Sequence, residues 1–153
     1  MIKLNRITDY AVVVLAQMAR EPEKLVTAPQ LSEESNVPLP TVSKLLKELA
    51  RDGVLASHRG VNGGYTLARK PEDISVMSII RSLEGPIALT SCVDESDSDC
   101  GVESLCPMRG NWNRVNSAIR GALESVSLAE MASPAFMFDE PPASRAGRTA
   151  AGE

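Results

Sequence analysis

At 153 residues, 43% hydrophobic, 24% charged and with a formal net charge of -4, the chain is sized for one compact domain with an appendage, since a domain takes about 100–200 residues. Aromatic residues make up 3% and histidine occurs once, which leaves the core to Leu, Val, Ile, Ala and Met and argues against His-based hydrolysis and His-ligated metal sites. No apolar run approaches the roughly 18–20 residues that span a bilayer, and the opening Met-Ile-Lys-Leu-Asn-Arg lacks the pattern of a signal peptide, so a cytoplasmic protein is expected.

Residues 9–20 read as a largely apolar helix, buried on most sides, with Thr8 as its expected N-cap and Arg20 suited to its last turn. Glu21-Pro22-Glu23 ends it. Thr27 caps a second, short helix that tolerates Pro29 in its first turn and runs to about Ser35. Asn36-Val37-Pro38 then breaks the chain. From Leu39 a third helix sets Val42, Leu45, Leu46 and Leu49 on one apolar face and leaves Thr41, Ser43, Lys44, Lys47 and Glu48 on the other. After Asp52-Gly53 come two short strands, residues 54–57 and 65–67, joined by a Gly-rich tip in which Asn62-Gly63 supplies residues that tolerate positive φ. A helix begins near Ser75, with Val76, Ile79, Ile80 and Leu83 on one face, and stops at Gly85-Pro86. An acidic segment holding Cys92, Cys100 and Cys106 leads into a long helix from about Arg109 to Ser125, with Trp112, Val115, Ile119, Ala122, Leu123 and Val126 near one stripe. A short helix over 128–132 closes the folded part. Residues 133–153, rich in Pro, Ala, Gly and Ser, bury too little apolar surface to offset ordering entropy and read as a disordered tail.

Helix, short helix, tight turn, helix and hairpin is the order of a winged helix-turn-helix, whose helix after the turn enters the DNA major groove. The charge distribution agrees. Residues 1–70 carry ten Lys and Arg against seven Asp and Glu, and residues 71–153 six against thirteen, so the front half suits a polyanion. Thr41 and Ser43 offer hydroxyls to base edges or phosphates, and Lys44 and Lys47 offer point charges. Arg59 stands at the hairpin tip, where a guanidinium can reach a narrow minor groove, and His58 beside it can bond a phosphate. Each feature alone is commonplace: a lysine-bearing helix is usually a solvated face, a Gly-rich hairpin usually only a turn. Their order within about forty residues is what points to DNA.

The three cysteines, spaced Cys-x7-Cys-x5-Cys, are wider apart than the Cys-x2-Cys knuckle of structural zinc. Thiolates suit soft metals and iron-sulfur clusters, and the acidic neighbours Asp94, Glu95, Asp97, Asp99 and Glu103 oppose thiolate formation unless a cation offsets them. Spacing alone leaves a metal centre and three unligated thiols both open. A cluster takes a fourth ligand, for which Asp9 is a candidate, although a favourable charge at a helix N-terminus explains that residue as well.

The segments Leu4-Asn5-Arg6-Ile7-Thr8-Asp9-Tyr10-Ala11, Arg59-Gly60-Val61-Asn62-Gly63-Gly64-Tyr65, Leu83-Glu84-Gly85-Pro86 and Cys92...Cys100...Cys106-Pro107 resemble the Rrf2 family of winged-helix transcription regulators, which includes the IscR and NsrR types. Leu39-Pro40-Thr41-Val42-Ser43-Lys44-Leu45-Leu46 and Cys106-Pro107-Met108-Arg109-Gly110-Asn111-Trp112 are most similar to its branch of SUF-system iron-sulfur assembly regulators. The resemblance covers about residues 1–132. It implies a mainly α fold with a small β-hairpin wing: a winged helix-turn-helix over 1–72, a cluster-binding loop and dimerisation helices over 73–132, and the tail over 133–153. It further implies a homodimer on promoter DNA, and a [2Fe-2S] or [4Fe-4S] cluster on Cys92, Cys100 and Cys106 that governs repression of SUF-type genes. Pro40, Thr41, Ser43, Lys44 and Arg59 fall where family members contact DNA. Where the IscR type places a histidine ligand three residues past the last cysteine, this chain has Arg109, which cannot ligate. The NsrR type uses an aspartate at the place of Asp9, supplied by the partner subunit, and Asp9 is taken as the fourth ligand. The alternatives are a regulator that binds zinc or senses thiol oxidation or nitric oxide without a cluster, and an accessory protein of cluster assembly. The absence of a base–nucleophile pair weighs against an enzyme.

Overall fold

The computed structural model describes residues 3–90, 93 and 107–134. Over these residues the chain forms six helices and one antiparallel hairpin. Helix α1 (Arg6–Ala19) starts three residues before the expected point, because Asn5, in extended backbone, is its N-cap and accepts the Ile7 N–H at 3.2 Å. Thr8 lies inside the helix instead, fully buried, and its hydroxyl donates to the Glu84 carboxylate. The same carboxylate accepts the Asn5 N–H at 2.8 Å.

Helix α2 (Ala28–Ser35) is started as expected: Gln30 reaches back to accept from the Thr27 N–H at 2.9 Å and the Thr27 hydroxyl at 3.1 Å. Asn36 ends it in the left-handed region at φ 57°, and Ser32 donates to the Val37 carbonyl at 2.7 Å, fixing the turn into α3 (Leu39–Arg51). Strands β1 (Leu55–His58) and β2 (Gly64–Leu67) pair antiparallel, from Leu55 opposite Leu67 to His58 opposite Gly64. The expected positive φ at Asn62-Gly63 is not found. The tip turns at Gly60, with φ 119°, and Gly63 is required for room, because a Cβ there would stand 2.6 Å from the His58 carbonyl oxygen. Val26 adds a third strand position by exchanging both backbone hydrogen bonds with Tyr65, at 3.0 and 2.8 Å.

A 3₁₀ turn (Pro71–Asp73) leads to α4 (Val76–Glu84), capped by Ser75. Helix α5 (Arg109–Glu124) and the short α6 (Leu128–Ala132) follow. Leu128 N–H donates to the Ile74 carbonyl at 2.7 Å and Val76 N–H to that of Val126 at 2.9 Å, so the chain past α5 is tied to the start of α4 and α6 packs on α1. Leu15, Leu31, Leu45, Leu46, Leu49, Ile74, Ile79 and Leu128 are fully buried in one core. Among the described residues no helix is long and apolar enough to cross a membrane.

Ser127 caps α6: its hydroxyl accepts the Glu130 N–H, and Glu130 accepts from the Ser127 N–H at 2.7 Å and hydroxyl at 2.8 Å. These bonds, the backbone one first, hold the Glu130 carboxyl below its ordinary value. A depressed carboxylate stabilises above its ordinary value, and that contribution is lost as pH falls through the folded one. Ser127→Ala is expected to cost about 1 kcal/mol in urea unfolding at neutral pH, with a smaller difference from the parent chain in acid.

Candidate nucleic-acid interface and cysteine segment

Helix α3 buries Val42, Leu45, Leu46 and Leu49 and turns Pro40, Lys44 and Lys47 to solvent, with Thr41 and Ser43 half-buried at the shoulders. This is the division its sequence pattern predicts. Lys44 Nζ stands 4.0 Å from Glu48 Oε1 with 61% of its side chain exposed, a solvated pair too weak to hold the lysine from a phosphate. Leu39, 42% exposed at the start of α3, is an apolar side chain of the kind that meets thymine methyls. Sequence reasoning passed over it; the signal was its place off the buried face.

On the wing, Arg59 is exposed and makes no ion pair among the described residues. His58 Nε2 lies 3.0 Å from Thr66 Oγ1 across the strands, so its ring is also part of the hairpin's own bonding. Val61, fully exposed at the tip, was likewise not singled out from the sequence.

Cys92, Cys100 and Cys106, with the acidic residues between them, lie outside the described residues, and among the described residues no three His, Cys, Asp or Glu side chains converge on a metal-sized site. The flanks of that segment are described. Before Cys92, Leu89 N–H donates to Asn116 Oδ1 at 3.3 Å, and Asn116 Nδ2 donates to the Ile87 carbonyl at 3.1 Å. Asn116 is 4% exposed, in the middle of α5. A buried amide must find partners, and here both come from the chain leading to Cys92. The sequence signal was an Asn within the apolar stripe between Trp112 and Ile119. After Cys106, Pro107 and Met108 pass directly into α5. On the other side, the Glu84 bonds bind the end of α4 to the start of α1. Leu4, Gly85, Ile87, Leu89 and Ile119 line one crevice of about 430 Å³. Asp9 stands one residue beyond Thr8, exposed, in a second crevice with Lys3, Leu4, Asn5 and Arg6, and no other described side chain bonds its carboxylate.

A helix after a tight turn followed by an antiparallel hairpin is a winged helix-turn-helix, the fold class of many DNA-binding transcription regulators. Residues 4–134 match the family model of Rrf2, iron-dependent transcriptional regulators, and the chain belongs to that family. It is 26% identical over 130 residues to the HTH-type transcriptional regulator NsrR of Halalkalibacterium halodurans, covering 84% of this chain and 89% of that one. Its fold is similar to that of IscR of T. potens (TM-score 0.64, 29% identity, 91% of this chain and 94% of that one). It is also similar to CymR, the global cysteine regulator of B. subtilis (TM-score 0.65, 27% identity, 86% and 97%). These proteins are transcription regulators, not enzymes.

Proposed function

We propose that the protein is a homodimeric repressor of SUF-type iron-sulfur assembly genes whose operator affinity follows the occupancy of an iron-sulfur cluster. Cys92, Cys100 and Cys106 would hold the cluster, with Asp9 contributed across the dimer as the fourth ligand. The donor set fits: three thiolates suit iron, the fourth position needs one further donor, and the Asp9 carboxylate is exposed and unbonded by the other described side chains. When bound, the cluster supplies an oxidant-sensitive cross-link among its ligands. Nuclearity does not enter this reading, since both cluster types take four ligands.

One observation carries the proposal: the residues just before Cys92 are bonded to α5 through Asn116, and the end of α4 to α1 through Glu84. A change in the cysteine segment therefore bears on both the reading head and the long helix. Met108, Trp112 and Val115, 50%, 42% and 44% exposed along α5, support that helix as the dimer contact, since such an apolar stripe is costly in water. Two heads facing half-sites roughly 34 Å apart lose both contacts when their spacing shifts. Pro40, Thr41, Ser43, Lys44 and Lys47 are assigned to the major groove and its phosphates, Arg59 to the minor groove and His58 to a phosphate.

Anaerobic electrophoretic shift on the DNA upstream of the protein's own gene, with and without reconstituted iron and sulfide, is the test. A change in the midpoint of binding is expected; identical titrations would overturn cluster control. Arg59→Ala is expected to weaken operator binding by about 1–3 kcal/mol, roughly 5- to 150-fold, and an unchanged midpoint would remove Arg59 from the interface. The likeness to CymR of Staphylococcus aureus, solved in an oxidised form, favours a second reading, direct thiol oxidation without a cluster. Iron and acid-labile sulfide analysis separates the two, and zinc content tests the alternative of a zinc-binding regulator.

A further inference from the structure

The outer side of α1 carries an apolar groove that no other described residue fills. Val12, Val13 and Ala16 line it from α1, Met131 and Ala132 from the end of α6, and Arg20 stands at the C-terminal end of α1. Val13 and Met131 are each 39% exposed. Its volume, about 230 Å³, falls short of the roughly 300–1,000 Å³ of small-molecule sites and suits one or two side chains. A neighbouring cleft of about 220 Å³ shares Arg20 and Ala132 with it and continues past Ala19 and Pro71.

The chain supplies a matching segment immediately downstream. Both of its phenylalanines, Phe136 and Phe138, fall in Ala135-Phe136-Met137-Phe138-Asp139-Glu140, four and six residues past Ala132. The average composition over 133–153 conceals this cluster of large apolar side chains. Because Met131 and Ala132 themselves line the groove, a span of about 3.3–3.6 Å per residue brings Phe136 within reach with no rearrangement of α1 or α6. A tether this short also gives the segment an effective concentration in the millimolar range, ahead of any separate partner. Charge completes the match: Arg20, exposed and without an ion pair among the described residues, faces the groove into which a segment followed by Asp139 and Glu140 would run.

We propose that residues 136–138 fold back within the same chain into the α1–α6 groove, with Asp139 and Glu140 beside Arg20. This surface is independent of the cysteines, so its test stands whether or not a cluster binds. The photoreactive amino acid p-benzoylphenylalanine placed at position 136 of the full chain, irradiated after equal amounts of ¹⁴N- and ¹⁵N-labelled protein have been unfolded and refolded together so that subunits mix within dimers, is expected to give adducts on peptides covering 12–20 or 128–132 within one isotopic species. Mixed-isotope adducts would assign the groove to a second copy's tail and overturn the proposal, as would adducts elsewhere or none. Phe136→Ser with Phe138→Ser leaves every described residue unchanged and is expected to speed amide hydrogen exchange over 12–20 and 128–132 severalfold. Val13→Asp is expected to free the tail to early proteolysis; unchanged exchange in the first variant and an unchanged cleavage pattern in the second would each sink the contact.

Discussion

Leu46→Ala is expected to lower the free energy of unfolding by about 2–5 kcal/mol, a loss of the size also expected at the equally buried Leu45 and Leu49. Leu46 is fully buried in the cluster that joins α3 to α1 and α2. Truncation removes apolar contact and leaves a cavity that neighbours from three helices cannot all close. Against a typical total of about 5–15 kcal/mol the loss is a large fraction, and it is read as a drop in urea midpoint at unchanged slope. Lys47→Ala, one residue along but solvent-facing, should stay within about 0.5 kcal/mol. The contrast checks the rotation of α3: equal effects would mean that the apolar row is not the seated one and that Lys44 and Lys47 do not point outward.

That rotation was legible in the sequence because Val42, Leu45, Leu46 and Leu49 repeat at helical spacing, and α4 was legible for the same reason. The hairpin was legible from its bracketing glycines, and the wing residues Arg59 and His58 with it. Other features were set by partners distant along the chain, which periodicity does not report. Asn5 and Thr8 are both good capping residues three positions apart; a carboxylate 76 residues away at Glu84 took the Thr8 hydroxyl and left the cap to Asn5. The Val26 strand position is one residue long and has no pattern of its own. Within a tip holding three glycines, composition did not fix which one takes positive φ; the geometry chose Gly60 and kept Gly63 for close approach. Asn116 illustrates the same limit at the candidate site. Its place in the stripe was visible, but that it holds the approach to Cys92 depended on how Ile87 and Leu89 return to α5.

Cys106→Ala is expected to remove both iron and acid-labile sulfide from anaerobically purified protein and to abolish its visible absorption. A cluster needs four ligands, and with two thiolates left, Asp9 and water are weak oxygen donors to a centre that favours sulfur. The fold should survive, because the core is built from residues of α1 to α4 and α6 and Cys106 precedes α5; an unchanged far-ultraviolet dichroism spectrum separates ligand loss from unfolding. Asp9→Ala should act more mildly. It leaves all three thiolates and vacates one position that water can fill, so the expected outcome is a protein that still takes up iron and sulfide but loses them faster in air than the parent chain. That ordering, complete loss at Cys106 and faster loss at Asp9, is what a centre gripped by sulfur and completed by oxygen requires. Parent-level iron and sulfide in Cys106→Ala would move the ligands elsewhere, and equal lifetimes in Asp9→Ala would return that carboxylate to the plain role of a charge at the N-terminus of α1.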